Sequence, residues 1–268
     1  METRLIRFYW TRGHTNPTNL IIDGLRFTNT SITSSVSYTA KNKLNNAMFF
    51  IDESDHTITY DSIDYTAPYV YQNVTIGTYA DDSLEQEAIS QVIYGLAWAY
   101  EYSSMTEYLT KAETYAQVQL AMQDQSGEGY IPKRVLTPQY AGMTFSGFNL
   151  AALSMLYKET SNTTYKNAAD ALQNFLTRDD RMWNEANDWF DKEFNNSTKT
   201  MTNATTVDLM RCGAGLLGLS LYYRYVDNNA TVLDRIDKMM NTILTLDGAA
   251  WFYKKGSWHI DSTVEDSQ

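Results

Sequence analysis

Three stretches of the chain are apolar almost all the way around a helix. In the first, Ala88, Val92 and Leu96 recur at helical spacing, with Ile89 and Ile93 beside them. A helix without a broad polar face is buried on most sides. We therefore expect these three helices to be the innermost elements of the fold; their sequences are SLEQEAISQVIYGLAWAYEYSS, FSGFNLAALSMLYKETS and TVDLMRCGAGLLGLSLYYRYV.

Each apolar stretch is followed, after a short polar turn, by a helix with one polar face. The turns YSSM, TSNT and VDNNA supply Ser, Thr, Asp or Asn near the N-cap of the second helix. The pattern predicts three antiparallel helical hairpins within residues 83–247, each with an inner and then an outer helix. The outer helices are MTEYLTKAETYAQVQLAMQ, TTYKNAADALQNFLT and TVLDRIDKMMNTILT.

The connections after the outer helices share a plan. Each begins with an Asp, turns, and continues into an aromatic piece with strand character; the Asp residues are Asp52, Asp124, Asp179 and Asp247. We expect short β segments there. The stretches LIRFYW and NLIIDGLRF near the N-terminus also have strand character. The predicted organisation is an extended N-terminal segment or linker, residues 1–32, before a helical-hairpin domain, residues 33–268.

The hairpins resemble the α/α toroid architecture, above all the six-hairpin glycosidases and the related polysaccharide lyases and sugar epimerases. The likeness rests on GLAWAYEYSSMTEYLTKAETYAQ and NLAALSMLYKETSNTTYKNAADAL and covers roughly residues 33–260. It implies a mainly α fold and carbohydrate as the partner. A closed ring of this type has six hairpins, whereas this sequence offers three or four. We therefore expect a partial toroid, a piece of a larger parent protein, or a homo-oligomer that closes the ring.

Charge and composition exclude several classes of function. The 268 residues carry a formal net charge of −11, which disfavours nucleic acid because phosphate binding needs clustered Lys and Arg. No apolar run approaches the ~20 residues that span a bilayer. Cys212 is the single cysteine, so no disulfide forms within the chain, and its apolar surroundings favour a buried structural thiol.

Asn is frequently followed by the acceptor pattern for N-linked glycans. This pattern predicts an exported glycoprotein at an extracellular or cell-surface location, with compositional bias as the alternative explanation. The N-terminal residues lack the apolar core of a signal peptide, as would a chain whose signal had been removed or one that began inside a longer protein. The sequons are at Asn29, Asn73, Asn162, Asn195, Asn196, Asn203 and Asn229.

The resemblance places a cleft where the inner helices begin, and acids occur at two of those starts. Glycoside hydrolysis needs two carboxylates across a cleft. Asp82 or Glu87, at the start of the first inner helix, could face Asp208, at the start of the third. Acids in a first helical turn also cap N–H groups and interact with the helix dipole. Asp208 and Arg211, three residues apart, also suit a local ion pair.

Aromatic and polar residues in the connections are the substrate-binding candidates. Aromatic planes suit the apolar faces of sugar rings, although they could equally cover the ends of the inner helices. The candidates are Tyr140, Trp183, Asp188, Trp189, Arg211, Trp251 and His259. The three His residues are too scattered for a metal motif, and we expect no cofactor. The stretch DESDHTITYD has spaced oxygen ligands that leave calcium as a minor alternative.

Two hypotheses of different classes follow. The first is a carbohydrate-active enzyme, a glycoside hydrolase or polysaccharide lyase, that acts on an extracellular glycan. The second is a non-catalytic, glycosylated surface protein that uses toroid-like hairpins for assembly or glycan binding. Acids at the inner-helix starts and Trp-rich loops favour the enzyme, whereas the sequons and the missing hairpins favour the scaffold.

Overall fold

The computed structural model describes residues 5–6, 25–26, 55–68, 86–123, 127–133, 138–202, 209–245, 251–254 and 257–260. In this part of the chain, six α-helices form three consecutive hairpins. The fold is thus mainly α, as the sequence predicts. The helices are α1 (Gln86–Ser103), α2 (Thr106–Met122), α3 (Met143–Thr160), α4 (Thr163–Thr177), α5 (Leu209–Tyr225) and α6 (Ala230–Thr245).

Two of the three turns contain the predicted capping residues, whereas in the first the N-cap of α2 is Met105, which makes no side-chain cap. Asn162 precedes α4, and its side chain accepts a hydrogen bond from the backbone N–H of Thr164 at 3.0 Å. Asn229 precedes α6 and accepts from Thr231 N–H at 2.8 Å. Each bond satisfies one of the free N–H groups of a helix start. Ser161 ends α3 in the left-handed region at φ 55°, which lets the chain reverse tightly.

The first helix of each hairpin forms the inner layer. Helix α3 packs between α1 and α5, and each outer helix packs mainly on its own inner partner. The third hairpin shows the difference in burial: α5 is buried along most of its length, whereas in α6 the buried positions are Val232, Met239 and Ile243. Helices α1 and α2 are similarly buried, because a β-hairpin covers α2 from outside.

Helices α3 and α5 approach unusually closely because glycines face one another. A Cβ on Gly147 would lie 2.5 Å from the carbonyl oxygen of Ala214, and a Cβ on Gly218 would lie 2.5 Å from the carbonyl oxygen of Gly147. Any side chain at these positions would therefore meet backbone atoms of the partner helix.

The inner helices contribute to two apolar clusters. The larger lies between the inner and outer layers. The smaller takes Ala97 and Trp98 from α1, Ala151 and Met155 from α3, and Leu221 from α5. Since no outer helix contributes to it, this smaller cluster lies on the side of the inner layer that faces away from the outer helices. That side is the concave surface of a toroid.

Short strands occupy the connections, as predicted. The hairpin β3–β4 packs on α2. Strands β1 and β2, nearer the N-terminus, lie within the predicted stretches LIRFYW and NLIIDGLRF. The division at residue 32 lies outside the described residues and remains a prediction. The strands are β1 (Leu5–Ile6), β2 (Leu25–Arg26), β3 (Asp55–Tyr60), β4 (Ile63–Pro68), β5 (Tyr140–Gly142), β6 (Trp183–Asn184), β7 (Trp189–Phe190), β8 (Glu193–Asn195), β9 (Thr200–Thr202), β10 (Trp251–Lys254) and β11 (Ser257–Ile260).

None of the helices in the described part of the chain combines the length and the apolar character needed to cross a membrane.

Candidate functional site

The inner helices begin on a common face of the molecule, which we call the N-terminal face. Helices α1, α3 and α5 alternate along the chain with antiparallel outer partners, so they run in the same direction and their starts lie together. The connections from each outer helix to the next inner helix lie on this face. It therefore combines loop side chains with the positive ends of three helix dipoles.

A three-stranded sheet covers the start of α3. Strand β8 pairs with β5 and β9, placing Glu193 opposite Gly142 and Thr202, and Asn195 opposite Tyr140 and Thr200. Side chains alternate between the faces of a strand. One face packs into the core through Ala141 and Phe194. The other, which we call the sheet face, presents Tyr140, Gly142, Glu193, Asn195, Thr200 and Thr202.

An ion pair lies beside the sheet face. The Lys133 ammonium is 3.1 Å from Glu193 Oε2 and 5.6 Å from the centre of the Phe145 ring. About 30% of each charged side chain is exposed, at 31% for Lys133 and 29% for Glu193. The pair is thus accessible to a ligand from solvent.

Backbone hydrogen bonds hold Lys133 between two inner-helix starts. Its carbonyl accepts the N–H of Gln86, the first residue of α1, at 3.2 Å. Its own N–H donates to the carbonyl of Tyr140 at 2.7 Å. The N–H of Met143, at the start of α3, donates to the carbonyl of Lys192, directly before Glu193. The ion pair therefore bridges the starts of α1 and α3.

A second charged cluster secures the connections behind this face. The Glu128 carboxylate accepts from Arg181 Nε at 2.5 Å and from Arg181 Nη2 at 2.8 Å, and Lys199 lies 3.1 Å away. The hydrogen bonds from Arg181, then the hydrogen bond from Lys199 and the charges of both side chains, outweigh partial burial and lower the pKa of Glu128 from 4.5 to about 2. The Glu128 side chain is only 11% exposed, so solvent screens the pair weakly and it stabilises the contact between residues 127–133 and the segment after α4.

We expect Glu128→Gln to destabilise the fold by about 2 kcal/mol at pH 7. A carboxyl group with a lowered folded-state pKa stabilises the protein above its unfolded-state pKa. That contribution is lost as the pH falls from about 4.5 towards 2. Urea denaturation of wild type and variant at pH 7 and pH 3 measures the difference. An equal difference at both pH values would contradict the ion-pair explanation.

The proposed carboxylate pair falls largely outside the described residues. Asp82 and Asp208 are not among them, and Glu87 is the second residue of α1 with an undescribed side chain. By position, Asp208 immediately precedes α5. The distance between these carboxylates therefore remains a prediction.

The Trp-rich connection has a core face and an outer face. Trp183 pairs with Phe190 across the β6–β7 hairpin, and both are fully buried with their rings 5.1 Å apart. The Trp183 indole N–H donates to Glu185 at 2.8 Å, and the Arg235 guanidinium lies 4.9 Å from its ring centre. As placed here, Trp183 is a core residue and offers no surface to a sugar.

The neighbouring candidates point to different parts of the fold. Asp188 forms the hairpin turn at φ 54°, and its carbonyl accepts from Thr242 of α6 at 3.2 Å, so it contacts an outer helix. Trp189 is half-buried against the main core. Arg211 is buried, with 5% exposed, in the first turn of α5. Tyr140 lies on the sheet face, half-buried.

Trp251 and His259 lie on the final β-hairpin. Trp251 of β10 is paired with Ile260, and His259 of β11 with Phe252. Their side chains are outside the described part of the structure, so their role in binding stays a prediction.

The described residues contain no group of three or more His, Cys, Asp or Glu side chains placed to hold a metal ion. The described part of DESDHTITYD does not support the calcium alternative, because residues 55–60 form strand β3; Asp52 and Glu53 lie outside the described residues. Asp55 instead binds Lys111 and Tyr115 of α2.

No motif in the sequence marks Lys133, Phe145 or Glu193 as binding residues. Alternation in WFDKEF indicates which residues share a face of a strand, but not that β8 pairs with a strand some 50 residues earlier. The local signal was therefore present for Glu193 and lacking for its partners.

The arc of hairpins with a common N-terminal face defines an α/α toroid fold. No protein-family model matches the chain, and a search of curated proteins finds no match. Solved structures do share the fold. Cellobiose 2-epimerase from Bacillus thermoamylovorans is 15% identical with a TM-score of 0.62, over 76% of this chain and 55% of that one.

Two further structures give the same result. A family 76 glycoside hydrolase from a bovine Bacteroides thetaiotaomicron strain is 14% identical, with a TM-score of 0.62 over 85% of this chain and 47% of that one. A D-mannose isomerase is 15% identical, with a TM-score of 0.60 over 81% and 55%. The chain thus spans about half the length of these proteins and corresponds to part of a toroid.

Proposed function

We propose that this chain belongs to a carbohydrate-active enzyme that binds its glycan across the N-terminal face. The observation that supports this most directly is the sheet face, where an aromatic residue, hydroxyls, an amide and an exposed ion pair lie beside the starts of α1 and α3. Sugars are recognised by aromatic planes together with hydrogen-bonding groups of these kinds. The proposed catalytic acids Asp82, Glu87 and Asp208 belong to the same face by their positions at the starts of α1 and α5.

The structural neighbours support this class of function. They include sugar epimerases, a sugar isomerase and glycoside hydrolases. One of them, an α-1,6-mannanase from Salegentibacter, was solved as an inactive variant with two consecutive aspartates replaced, in complex with α-1,6-mannotriose. That protein is 12% identical to this chain, with a TM-score of 0.53.

This chain has two pairs of consecutive aspartates, and their settings differ. Asp179 and Asp180 follow an outer helix and have structural partners: Asp179 accepts from Glu185 N–H at 2.6 Å, and Asp180 binds Arg178 at 3.0 Å. Asp81 and Asp82 precede the inner helix α1. We therefore propose Asp82, with Asp81 beside it, as the acid that acts with Asp208.

The proposed reaction is hydrolysis of a glycosidic bond, with lyase chemistry as the alternative. One carboxyl group protonates the leaving oxygen and the other acts as base or nucleophile. An inverting pair of carboxylates is ~6.5–9.5 Å apart and a retaining pair ~5–5.5 Å apart, so the anomer that is released first tells which of these two geometries the proposed pair has.

The test is a turnover assay on the 268-residue chain. Purified protein is incubated with α-1,6-mannan, α-1,6-mannotriose and cello-oligosaccharides, and released reducing ends are measured. Turnover of any of them supports the enzyme, and the anomer first released separates inversion from retention. Binding without turnover would support the glycan-binding scaffold instead, and the absence of both would contradict the proposal.

We also propose an extracellular or cell-surface location, supported by the setting of two sequons. Asn162 is exposed and Asn229 half-buried, and both lie in turns at the end of the hairpins opposite the N-terminal face. Their Oδ1 atoms cap helices, whereas N-linked glycans attach to Nδ2. A glycan here would leave both the cap and the proposed cleft intact.

We expect the protein from a glycosylating host to carry a glycan at Asn162, the more exposed position. Intact mass before and after enzymatic deglycosylation measures this, and Asn162→Gln should remove one glycan mass. In an unglycosylated preparation, Asn162→Ala should cost about 1 kcal/mol because the N-cap is lost. An unmodified mass from the native host would remove the support for export. The sequons at Asn29, Asn73 and Asn203 lie outside the described residues. Asn195 is part of the sheet face and Asn196 directly follows it, so a glycan at either position would compete with the proposed binding surface.

A further inference from the structure

A polar sheet face beside helix starts can serve only to satisfy the polar groups of the helix ends. The contacts of Lys133, Phe145 and Glu193 distinguish a binding surface from that structural role. Glu193 lies directly opposite Gly142 in the sheet. A Cβ on Gly142 would lie 2.8 Å from Cδ2 of the Phe145 ring and 3.8 Å from Cδ of Lys133. Phe145 therefore lies over the bare backbone of Gly142, next to the Glu193 side chain.

The Phe145 ring does not serve the core. Neither Phe145 nor Tyr140 belongs to the two apolar clusters formed by the described residues. Both are half-buried, whereas Phe194, from the same sheet, is fully buried against Phe175 and Tyr130. An aromatic ring left at the surface beside charged groups is available to a ligand.

The Lys133–Glu193 ion pair contributes little to the stability of the fold, because both side chains are partly exposed. Pairs between partly exposed side chains stabilise proteins by ~0–1 kcal/mol, because solvent screens them. The molecule has the more strongly bound Glu128–Arg181 pair to secure the same connections. Yet Lys133 is held by two backbone hydrogen bonds that keep its Cα between α1 and β5. The backbone thus holds the main chain of Lys133 beside strand β5, and the ion pair with Glu193 places its ammonium next to a carboxylate that solvent can reach.

We propose that Lys133, Phe145 and Glu193, with Tyr140 at the edge, form a subsite for one uncharged sugar unit of the glycan. The inference rests on the proposed function and names specificity-determining residues for it. The Phe145 ring packs against the apolar face of the sugar. Glu193 accepts hydrogen bonds from two neighbouring hydroxyls, and Lys133 donates to a hydroxyl or ring oxygen.

The charges explain why the sugar is uncharged. The pair is neutral in sum, so it offers no net attraction to a uronate. The overall charge of −11 and the acids before α1 and α5 would repel one. Hydroxyl groups, by contrast, can bridge a carboxylate and an ammonium without adding charge.

The test compares two matched Glu→Gln variants. Glu193→Gln keeps the side-chain size but removes the carboxylate. Glu101→Gln does the same to the Lys158–Glu101 pair, which is similarly exposed but lies at the opposite ends of α1 and α3. The Kd for α-1,6-mannotriose and the KM for α-1,6-mannan are measured beside the melting temperature. We expect Glu193→Gln to raise Kd and KM by about 10- to 100-fold and Glu101→Gln by less than twofold, with similar melting temperatures.

A measurement on the wild-type protein covers the case in which Glu193→Gln does not fold. Lysines are acetylated with a limiting reagent, with and without mannotriose, and quantified by mass spectrometry. Mannotriose should protect Lys133 but not Lys166, which is paired with Asp170 on the outer helix α4.

Three results are decisive. If wild-type protein binds mannotriose while Glu193→Gln behaves as Glu101→Gln does, the subsite is wrong and the proposed function stands. The same holds if Lys133 is labelled equally with and without the sugar. If wild-type protein neither binds nor turns over mannotriose or mannan, both this subsite and a mannan-directed function are wrong.

Discussion

Replacing Asp208 with Asn is expected to lower glycan turnover about 100- to 10,000-fold. Asn has nearly the same size as Asp but can neither carry the negative charge nor transfer a proton at neutral pH. Asp208 immediately precedes α5, where the positive end of the helix dipole favours an ionised carboxylate. A nearby second acid would then keep its proton, since two close negative charges resist joint ionisation. These are the complementary states that glycoside hydrolysis needs.

The control for this substitution is Asp237→Asn, an exposed Asp on the outer helix α6, which should change neither turnover nor stability measurably. Asp82→Asn and Glu87→Gln, assayed in parallel, decide which acid works with Asp208. If Asp208 is only a local partner of Arg211, its replacement will cost about 1 kcal/mol or less and leave turnover unchanged. Equal rates for Asp208→Asn and Asp237→Asn would rule out its catalytic role.

Replacing Gly147 with Ala is expected to destabilise the protein by about 3 kcal/mol or more. The added methyl group would lie 2.5 Å from the carbonyl oxygen of Ala214 and 2.7 Å from the backbone nitrogen of Gly215. These are backbone atoms of α5, so no side-chain rotation relieves the overlap. The two inner helices must separate, and apolar contacts along their shared face weaken together. Unfolding in urea gives the free energy directly.

Gly213→Ala, on the partner helix α5, is the matched control. A Cβ at Gly213 meets nothing within 4 Å, and the position is exposed. Because Ala has a higher helix propensity than Gly, the free energy of unfolding of this variant should rise by about 0.5–1 kcal/mol. The two substitutions are chemically identical and should differ by about 4 kcal/mol in their effect. A cost below 1 kcal/mol for Gly147→Ala would show that α3 and α5 are not so closely packed.

Local periodicity was sufficient to predict the hairpins. Residues that repeat every three or four positions share a helix face whatever surrounds them, so the apolar inner helices could be read directly from the chain. The caps at Asn162 and Asn229 were predicted for the same reason, because a cap involves neighbours in sequence. The likeness to α/α toroids followed from these elements and is confirmed by the solved structures.

The candidate site was predicted less well, as the aromatic residues show. Trp183 and Trp189 are equally aromatic in sequence and only six residues apart, yet one is fully buried and the other half-buried. The register of β6 against β7 makes this difference, because a shift of one residue would exchange the faces. Composition favours an aromatic cleft without saying which ring faces it.

By itself, then, the sequence determined which segments are helices, which of them lie inside, and that the connections are rich in aromatic and acidic side chains. Only the tertiary structure decided which side chains meet. Lys133 and Glu193 are 60 residues apart and are joined by the pairing of β8 with β5. Gly147 meets Ala214 through the packing of α3 on α5. Helical character depends on interactions within a few residues, whereas a binding surface depends on register and packing between distant segments, which no local pattern encodes.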